Sequence, residues 1–314
     1  MKRILLVGAG NLGSRHLQSI AKLEQPVNVV VVEPNIQARE IAKSRWQEIP
    51  TSAIHSLSFV SMNDLEPGFD IAVVATLSID RLPIIKRLIE LQVPNILSEK
   101  VIFQSVQLYQ QALDFLATSN SQIYINYIYR FSNVIQDIQR ECAKKVVNLD
   151  VNAGNVELGC NLIHYLDLGA FLNSGADITK LEVDVLAVQN NNPRHTSLKS
   201  FYGVATAEYS NGAILRASLL DDPSIDYTLK ATADSHQYLI NETKRKAYFT
   251  DKPLCEFDAP RVSDTTLEVI NSLQQNRCVL PTLSDAFKVN QLMLDSLNMS
   301  HFGADDASLL CPIT

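Results

Sequence analysis

The sequence predicts a two-part α/β chain, a parallel sheet covered by helices followed by an α+β half on a largely antiparallel sheet. Two observations predict the first part. Short runs apolar on both faces, Arg3–Val7, Val27–Val32, Phe69–Ala75, Asn95–Ser98 and Gln122–Asn126, alternate with helix-period segments at Leu12–Leu23, Ile36–Trp46, Ile79–Leu91 and Val106–Thr118. Strands that hide both faces need helices on both sides, which is how a parallel sheet is covered. A change of pattern after Val146 predicts the second part. One helical segment, Glu157–Leu172, precedes longer strands at Leu181–Gln189, Phe201–Tyr209, Ala213–Leu219, Tyr227–Ala233, Gln237–Ile240 and Lys246–Phe249. Ser210-Asn211-Gly212 reads as a hairpin turn, because Asn-Gly tolerates the positive φ of a tight connection. Two helical segments, Ser263–Gln274 and Leu283–Leu297, close the chain. The domain reading is 1–125 and 126–314, leaving open that the C-terminal helices pack back on the first domain.

The 314 residues suit two domains at roughly 150 residues each. Hydrophobic residues at 46% against charged residues at 19% give enough apolar material for a core and exclude intrinsic disorder. The net charge of −7 and the lack of any Lys/Arg cluster argue against a nucleic-acid partner. The start, Met-Lys-Arg-Ile-Leu-Leu-Val, has too short an apolar run for a secretory leader. No stretch approaches the ~18 apolar residues of a membrane span. Cys142, Cys160, Cys255, Cys278 and Cys311 are odd in number and widely spaced, which reads as reduced thiols in a cytoplasm.

The most informative motif is Gly8-Ala9-Gly10-Asn11-Leu12-Gly13, a GxGxxG between the first strand and the first helix. Gly8 permits the tight turn, Gly10 leaves room for a pyrophosphate, and Gly13 lets the helix pack on the strand. The helix N-terminus at Asn11 and Leu12 then offers N–H groups and a positive dipole to the phosphates. Glu33 ends the second strand, placed to accept hydrogen bonds from an adenosine ribose. It favours NAD, while Arg39 and Lys43 on the next helix keep NADP open. This defines a Rossmann dinucleotide-binding domain. His16, three residues after Gly13, is expected to pack the first helix near the phosphates.

Three further segments carry a family resemblance: Gly8–His16 as GxGxxGxxH, Glu99-Lys100 after the fifth strand, and Asn161-Leu-Ile-His164-Tyr-Leu-Asp167 on a helix soon after the domain change. In this order they resemble the Gfo/Idh/MocA oxidoreductases, the glucose–fructose oxidoreductase and inositol dehydrogenase-like family, along nearly the whole chain. The resemblance implies a C-terminal domain with an open-faced sheet, a nicotinamide cofactor between the domains, a sugar or nucleotide-sugar substrate, and a homodimer or homotetramer formed through that sheet. The sequence also departs from the family. Glu99-Lys100-Val101 lacks the family's proline. Thr76-Leu77-Ser78-Ile79-Asp80-Arg81 lacks both the proline and the histidine of the corresponding segment. Cys160 replaces the aspartate one turn before the histidine. These departures leave a non-catalytic dinucleotide-binding regulator as the alternative, and a reductase of an imine or linear tetrapyrrole as a third reading.

The expected chemistry is oxidation of a secondary alcohol, which sends a hydride to the nicotinamide and a proton to a base. His164 suits the base, since an imidazole titrates near neutrality. Lys100, at a strand end, would polarise the oxygen. Thr76 and Glu99 would line the cofactor crevice at the strand ends, where ligands bind in open α/β sheets. Glu157, Cys160, Asn161, His164 and Asp167 share one arc of the helix. Asn161, Asp167, Tyr129 and Arg130 are the candidate substrate ligands. No metal site is expected, because the remaining histidines have no ligands at suitable spacing.

Overall fold

The structure, a computed structural model, describes residues 1–314 except positions 52, 191, 251 and 305. The chain divides into two compact units: Met1–Phe103 with Leu108–Ile128 and Pro260–Ala286, and Gln104–Gln107 with Tyr129–Ala259 and Phe287–Thr314. The boundary read as 125/126 corresponds to 128/129 in this division, and 260–286 joins the first unit.

The first unit holds six parallel strands, β1 (Lys2–Val7), β2 (Val27–Val32), β3 (Ser56–Val60), β4 (Ile71–Val74), β5 (Asn95–Ser98) and β6 (Gln122–Ile125). Their order is β3-β2-β1-β4-β5-β6. Ile4–Val7 of β1 and all of β4 are buried, as strands covered on both faces must be. Helices α1 (Gly13–Ala21), α2 (Ile36–Gln47), α3 (Arg81–Glu90) and α4 (Val106–Leu116) connect them. The sequence pattern missed β3. It lies at the sheet edge, and its Ser-Leu-Ser-Phe-Val is only half-buried, so it lacks the two-sided apolar signature.

Helix α5 (Asn133–Glu141) opens the second unit, followed by β7 (Asn148–Gly154) and α6 (Leu158–Leu172). Then come β8 (Ile178–Gln189), β9 (Ser200–Tyr209), β10 (Ile214–Leu220), β11 (Thr228–Ala233), β12 (His236–Asn241), β13 (Lys246–Phe249) and β14 (Lys252–Glu256). α7 (Val262–Gln274) belongs to the first unit and packs on α1, with the Leu267 amide donating to Ser19 Oγ at 2.8 Å. The unit division falls inside α8 (Leu283–Phe302). The second sheet runs β14-β13-β12-β11-β7-β10-β9-β8, antiparallel except for the β7–β10 pair. Gly212 supplies the positive φ of 86° at the β9–β10 turn.

On the inner face, Leu149, Val151 and Ala153 of β7 pair in register with Leu215, Ala217 and Leu219 of β10. Helix α6 packs across β7, β9 and β10, with the Tyr209 hydroxyl donating to the Leu166 carbonyl at 2.9 Å. The opposite face presents half-buried Val204, Ser218, Lys230 and Leu239. α5, β7 and β14 were absent from the sequence reading. In β7 the polar alternates are Asn148, Asp150 and Asn152, residue types that strands disfavour, and they hide a regular inward alternation. No helix among the described residues is long and apolar enough to cross a membrane.

Candidate functional site

In the first unit, the carboxyl ends of five neighbouring strands converge on the predicted cofactor residues. Gly8 follows β1, Glu33 follows β2, Thr76 lies just beyond β4, Glu99 and Lys100 follow β5, and Asn126 follows β6. Gly8 holds φ at 86°, and a Cβ on Gly13 would fall 1.9 Å from the Gly8 carbonyl oxygen, so α1 abuts the turn at van der Waals limit. A Cβ on Gly10 would meet nothing within 4 Å. Gly10, Asn11 and Leu12 are exposed, and no side chain caps the N-terminus of α1. The Ser14 and Arg15 amides donate to the Gly10 and Leu12 carbonyls, so it is the exposed backbone of Gly10–Leu12 that forms an open cradle suited to an anion.

Glu33 is buried, and its two carboxylate oxygens each accept one backbone N–H, from Ala9 at 2.7 Å and from Asn35 at 2.9 Å. It thus braces the glycine turn as well as ending β2. A carboxylate has about four acceptor sites, so two remain for ribose hydroxyls. Arg39 Nε donates to the Glu33 carbonyl. Thr76 Oγ1 is buried and has no hydrogen-bond partner among the described residues, an acceptor and donor left for a ligand.

His16 is fully buried and joins three elements. Its Nδ1 lies 2.8 Å from Thr266 Oγ1, and its Nε2 lies 3.0 Å from Glu99 Oε1. Thr266 donates its own proton to the Val262 carbonyl, so Nδ1–H must donate to Thr266. One proton then has to sit between Nε2 and Oε1. Asn126 Nδ2 donates to the same Oε1 at 2.5 Å. Burial pushes the Glu99 carboxyl up, but the His16 and Asn126 hydrogen bonds and the charges of His16 and Lys100 outweigh it and hold the group below the ordinary carboxylate value. Glu99, read as a cofactor ligand, thus spends Oε1 on His16 and Asn126. Lys100 follows it, half-buried, and the Lys100–Val101 peptide is cis.

Sequence reasoning treated Arg81 only as a departure from a family motif. The structure gives it a task. Its fully buried guanidinium donates to the carbonyls of Thr76, Glu99 (2.5 Å) and Val101 (2.6 Å), tying the ends of β4 and β5 together. Burial lowers its pKa from the ordinary guanidinium value to about 10, against the opposing pull of Glu99 and Tyr109.

In the second unit, α6 carries His164, Asn161 and Asp167. Nearly every residue of α6 is buried, and Asn161 is half-exposed. Asn161 Nδ2 donates to the Glu157 carbonyl at 2.9 Å and approaches Cys160 Sγ at 3.1 Å. The Cys160 thiol donates to the Glu157 carboxylate at 3.4 Å, and Glu157 also accepts from Ser200 at 3.0 Å. The Cys160 side chain therefore leans on a carboxylate one turn earlier. His164 is buried, with the Tyr129 ring edge-on at 5.8 Å between centroids.

Tyr129, Arg130 and Asp167 were read as substrate ligands, and each has a partner within the protein. Arg130 grips Asp167 with two hydrogen bonds. The Tyr129 hydroxyl donates to Glu242 Oε1 at 2.7 Å and lies 2.6 Å from the Tyr227 hydroxyl. Tyr165 bonds Tyr227 in turn. Glu242, Tyr227 and Tyr165 were not singled out in the sequence. No local spacing joins them, since Tyr129 and Glu242 are 113 positions apart.

The strand order and the glycine turn define the first unit as a Rossmann dinucleotide-binding fold. With the eight-stranded mixed sheet of the second unit, the chain has the two-part fold of the Gfo/Idh/MocA-type oxidoreductases. A UDP-N-acetylglucosamine 3-dehydrogenase from Acidithiobacillus ferrooxidans superposes with a TM-score of 0.73 at 15% identity, covering 93% of this chain and 95% of that chain. A myo-inositol dehydrogenase from Corynebacterium glutamicum gives 0.71 at 16% identity over 97% and 98% of the two chains. The scyllo-inositol dehydrogenase from Lactobacillus casei, solved with NAD(H) and scyllo-inositol, gives 0.68 at 14% identity over 96% and 97%. No protein-family model and no curated protein matches the sequence.

Proposed function

We propose that the protein is an NAD-dependent oxidoreductase acting on a ring hydroxyl or ketone of a sugar or nucleotide sugar. The observation that carries this reading is the set of groups at the carboxyl ends of adjacent parallel strands: an open glycine cradle, a ribose-type carboxylate at Glu33, an unsatisfied hydroxyl at Thr76 and the Lys100 amine. The folds of the UDP-N-acetylglucosamine and inositol dehydrogenases support the substrate class.

When bound, the nicotinamide supplies a hydride acceptor or donor. The Gly10–Leu12 backbone would hold the pyrophosphate, Glu33 would hold the ribose, and Thr76 would contact the cofactor near the β4 end. Glu33 favours NAD because a 2′-phosphate would meet its negative charge. Lys100 polarises the reacting oxygen, and His164 takes the hydroxyl proton. Asn161, whose Oδ1 accepts no hydrogen bond among the described residues, orients the substrate. A second copy of the chain is proposed to cover the open face of the second sheet around Val204, Ser218 and Leu239, giving a homo-oligomer. A cytoplasmic location goes with the five widely spaced cysteines.

The test is incubation with NAD and a panel of inositols and nucleotide sugars, read as growth of the reduced-nicotinamide absorbance. Lys100→Ala and His164→Ala each abolish turnover while NAD still binds. The double variant is no worse than either single one, as expected for groups acting on one substrate. Tight NAD binding without turnover on the whole panel would overturn this reading in favour of a regulator.

A further inference from the structure

The second unit contains a chain of hydroxyls that the proposed chemistry leaves unused. Tyr165 of α6, Tyr227 before β11 and Tyr129 of the short 3-10 helix Ile128–Phe131 are joined hydroxyl to hydroxyl, and the series ends on the Glu242 carboxylate after β12. Each phenol has one proton to give. Tyr129 gives its proton to Glu242, so it must accept from Tyr227, which in turn must accept from Tyr165. All three O–H bonds therefore point toward Glu242. If Glu242 carries the proton, every bond can reverse, and Tyr165 becomes the donor end. Protonation of one carboxylate is thus read at a hydroxyl three phenols away.

Glu242 is suited to the terminal position. It pairs with no cation among the described residues. The charged groups around it are spent elsewhere: Lys244 on Asp226 at 2.7 Å, with Asn241 on the same carboxylate at 3.0 Å, and Arg245 on Asp258. Among the described residues, the phenols of Tyr129, Tyr227 and Tyr165 are the titratable groups that face it from other elements. The group is half-buried, so its carboxyl can still exchange with water. Burial pushes its pKa up from 4.5 to about 7, against the Tyr129 hydrogen bond that pulls it down. Burial also raises the three tyrosines, which keeps them neutral as carriers. The His164 ring lies edge-on to Tyr129, the phenol that bonds Glu242.

We propose that Tyr165, Tyr227, Tyr129 and Glu242 form a proton relay that exchanges a proton between the Tyr165 hydroxyl on α6 and solvent. Its link to catalysis rests on the oxidoreductase reading. In the oxidation direction the proton released by the reacting hydroxyl enters at Tyr165 Oη, and Tyr165 passes its own to Tyr227. Tyr227 passes its proton to Tyr129, and Tyr129 protonates Glu242, which releases the proton to water. One O–H bond breaks and one forms at each phenol, and no electrons move.

Infrared titration of the cofactor-free protein tests the relay without relying on any activity. A carboxylic-acid C=O band should grow as the pH falls through about 7, and it should be missing in Glu242→Gln. The band should shift in Tyr129→Phe and, to a smaller extent, in Tyr227→Phe and Tyr165→Phe, which keep the rings and remove only the hydroxyls. Absence of a band titrating between about pH 5 and 9, or a band indifferent to Tyr227→Phe, overturns the relay. In the turnover assay, Tyr227→Phe should lower kcat about tenfold with KM for NAD unchanged and flatten the pH profile near neutrality. Wild-type kcat and pH profile in that variant also overturn it. A positive infrared result beside a protein that turns over nothing would count against the oxidoreductase reading alone.

Discussion

The Arg130 guanidinium holds the Asp167 carboxylate in a two-bond fork, Nε to Oδ2 at 2.9 Å and Nη2 to Oδ1 at 2.7 Å, with the Phe171 ring 5.1 Å from the guanidinium carbon. Asp167 is buried. Burial pushes its carboxyl above the ordinary value, and the charge and hydrogen bonds of Arg130 offset this only in part. Removing one partner would strand the other charge away from water. Arg130→Met should therefore cost about 3–5 kcal/mol in urea unfolding, and Arg130→Met with Asp167→Leu should recover most of it. A raised substrate KM with unchanged stability would instead make Arg130 a substrate contact.

Two glycines of one motif should fail in different ways. A Cβ on Gly13 collides with the Gly8 carbonyl, so Gly13→Ala must displace α1 from β1 and lower Tm. A Cβ on Gly10 enters open space, so Gly10→Ala should leave Tm unchanged yet weaken NAD binding by occupying the phosphate cradle. Calorimetric unfolding and NAD titration on the two variants separate the outcomes.

Arg81 serves the carbonyls of Thr76, Glu99 and Val101 at once. Arg81→Met leaves those buried acceptors unpaired, at about 1–3 kcal/mol for each one that finds no water. Arg81→Lys should rescue little, because a point charge cannot span the fork. Hydrogen exchange should rise at residues 99–102 in both variants. Unchanged protection there would mean the segment is held by its own packing.

Stability should also report on Glu242. Its folded pKa, about 7, lies above the ordinary 4.5, so the folded state binds the proton more tightly than the unfolded chain does. The stabilisation is fully present below about 4.5 and is lost as the pH rises through about 7. Glutamine mimics the protonated form and has no such dependence. The Tm of Glu242→Gln relative to wild type should therefore increase from pH 5 to pH 8, about the span of that titration. A constant difference would show that the carboxyl keeps one protonation state throughout.

Much of the first unit is legible in the sequence because its constraints are local. Val27–Val32 and Asn95–Ser98 are strands at the bounds their apolar runs predict, since both faces are covered. Gly8 and Gly13 are readable because backbone geometry admits no other residue there. β3 was not legible, because an edge strand need bury only part of itself. β7 was obscured by Asn148, Asp150 and Asn152, which its half-exposed face tolerates.

The sequence by itself determined the alternation of buried strands and helices in the first unit, the glycine turn, the acid at the end of β2 and the helix bearing His164, each of which follows from periodicity or backbone sterics over a few residues. Only the tertiary structure decided which polar groups satisfy one another: His16 with Glu99, Arg81 with the β4 and β5 ends, Arg130 with Asp167, and Tyr129 with Glu242. A buried donor must find an acceptor, but spacing along the chain does not say which one. Partners 5 to 113 positions apart meet only after the sheets have formed and the hydrophobic core has excluded water.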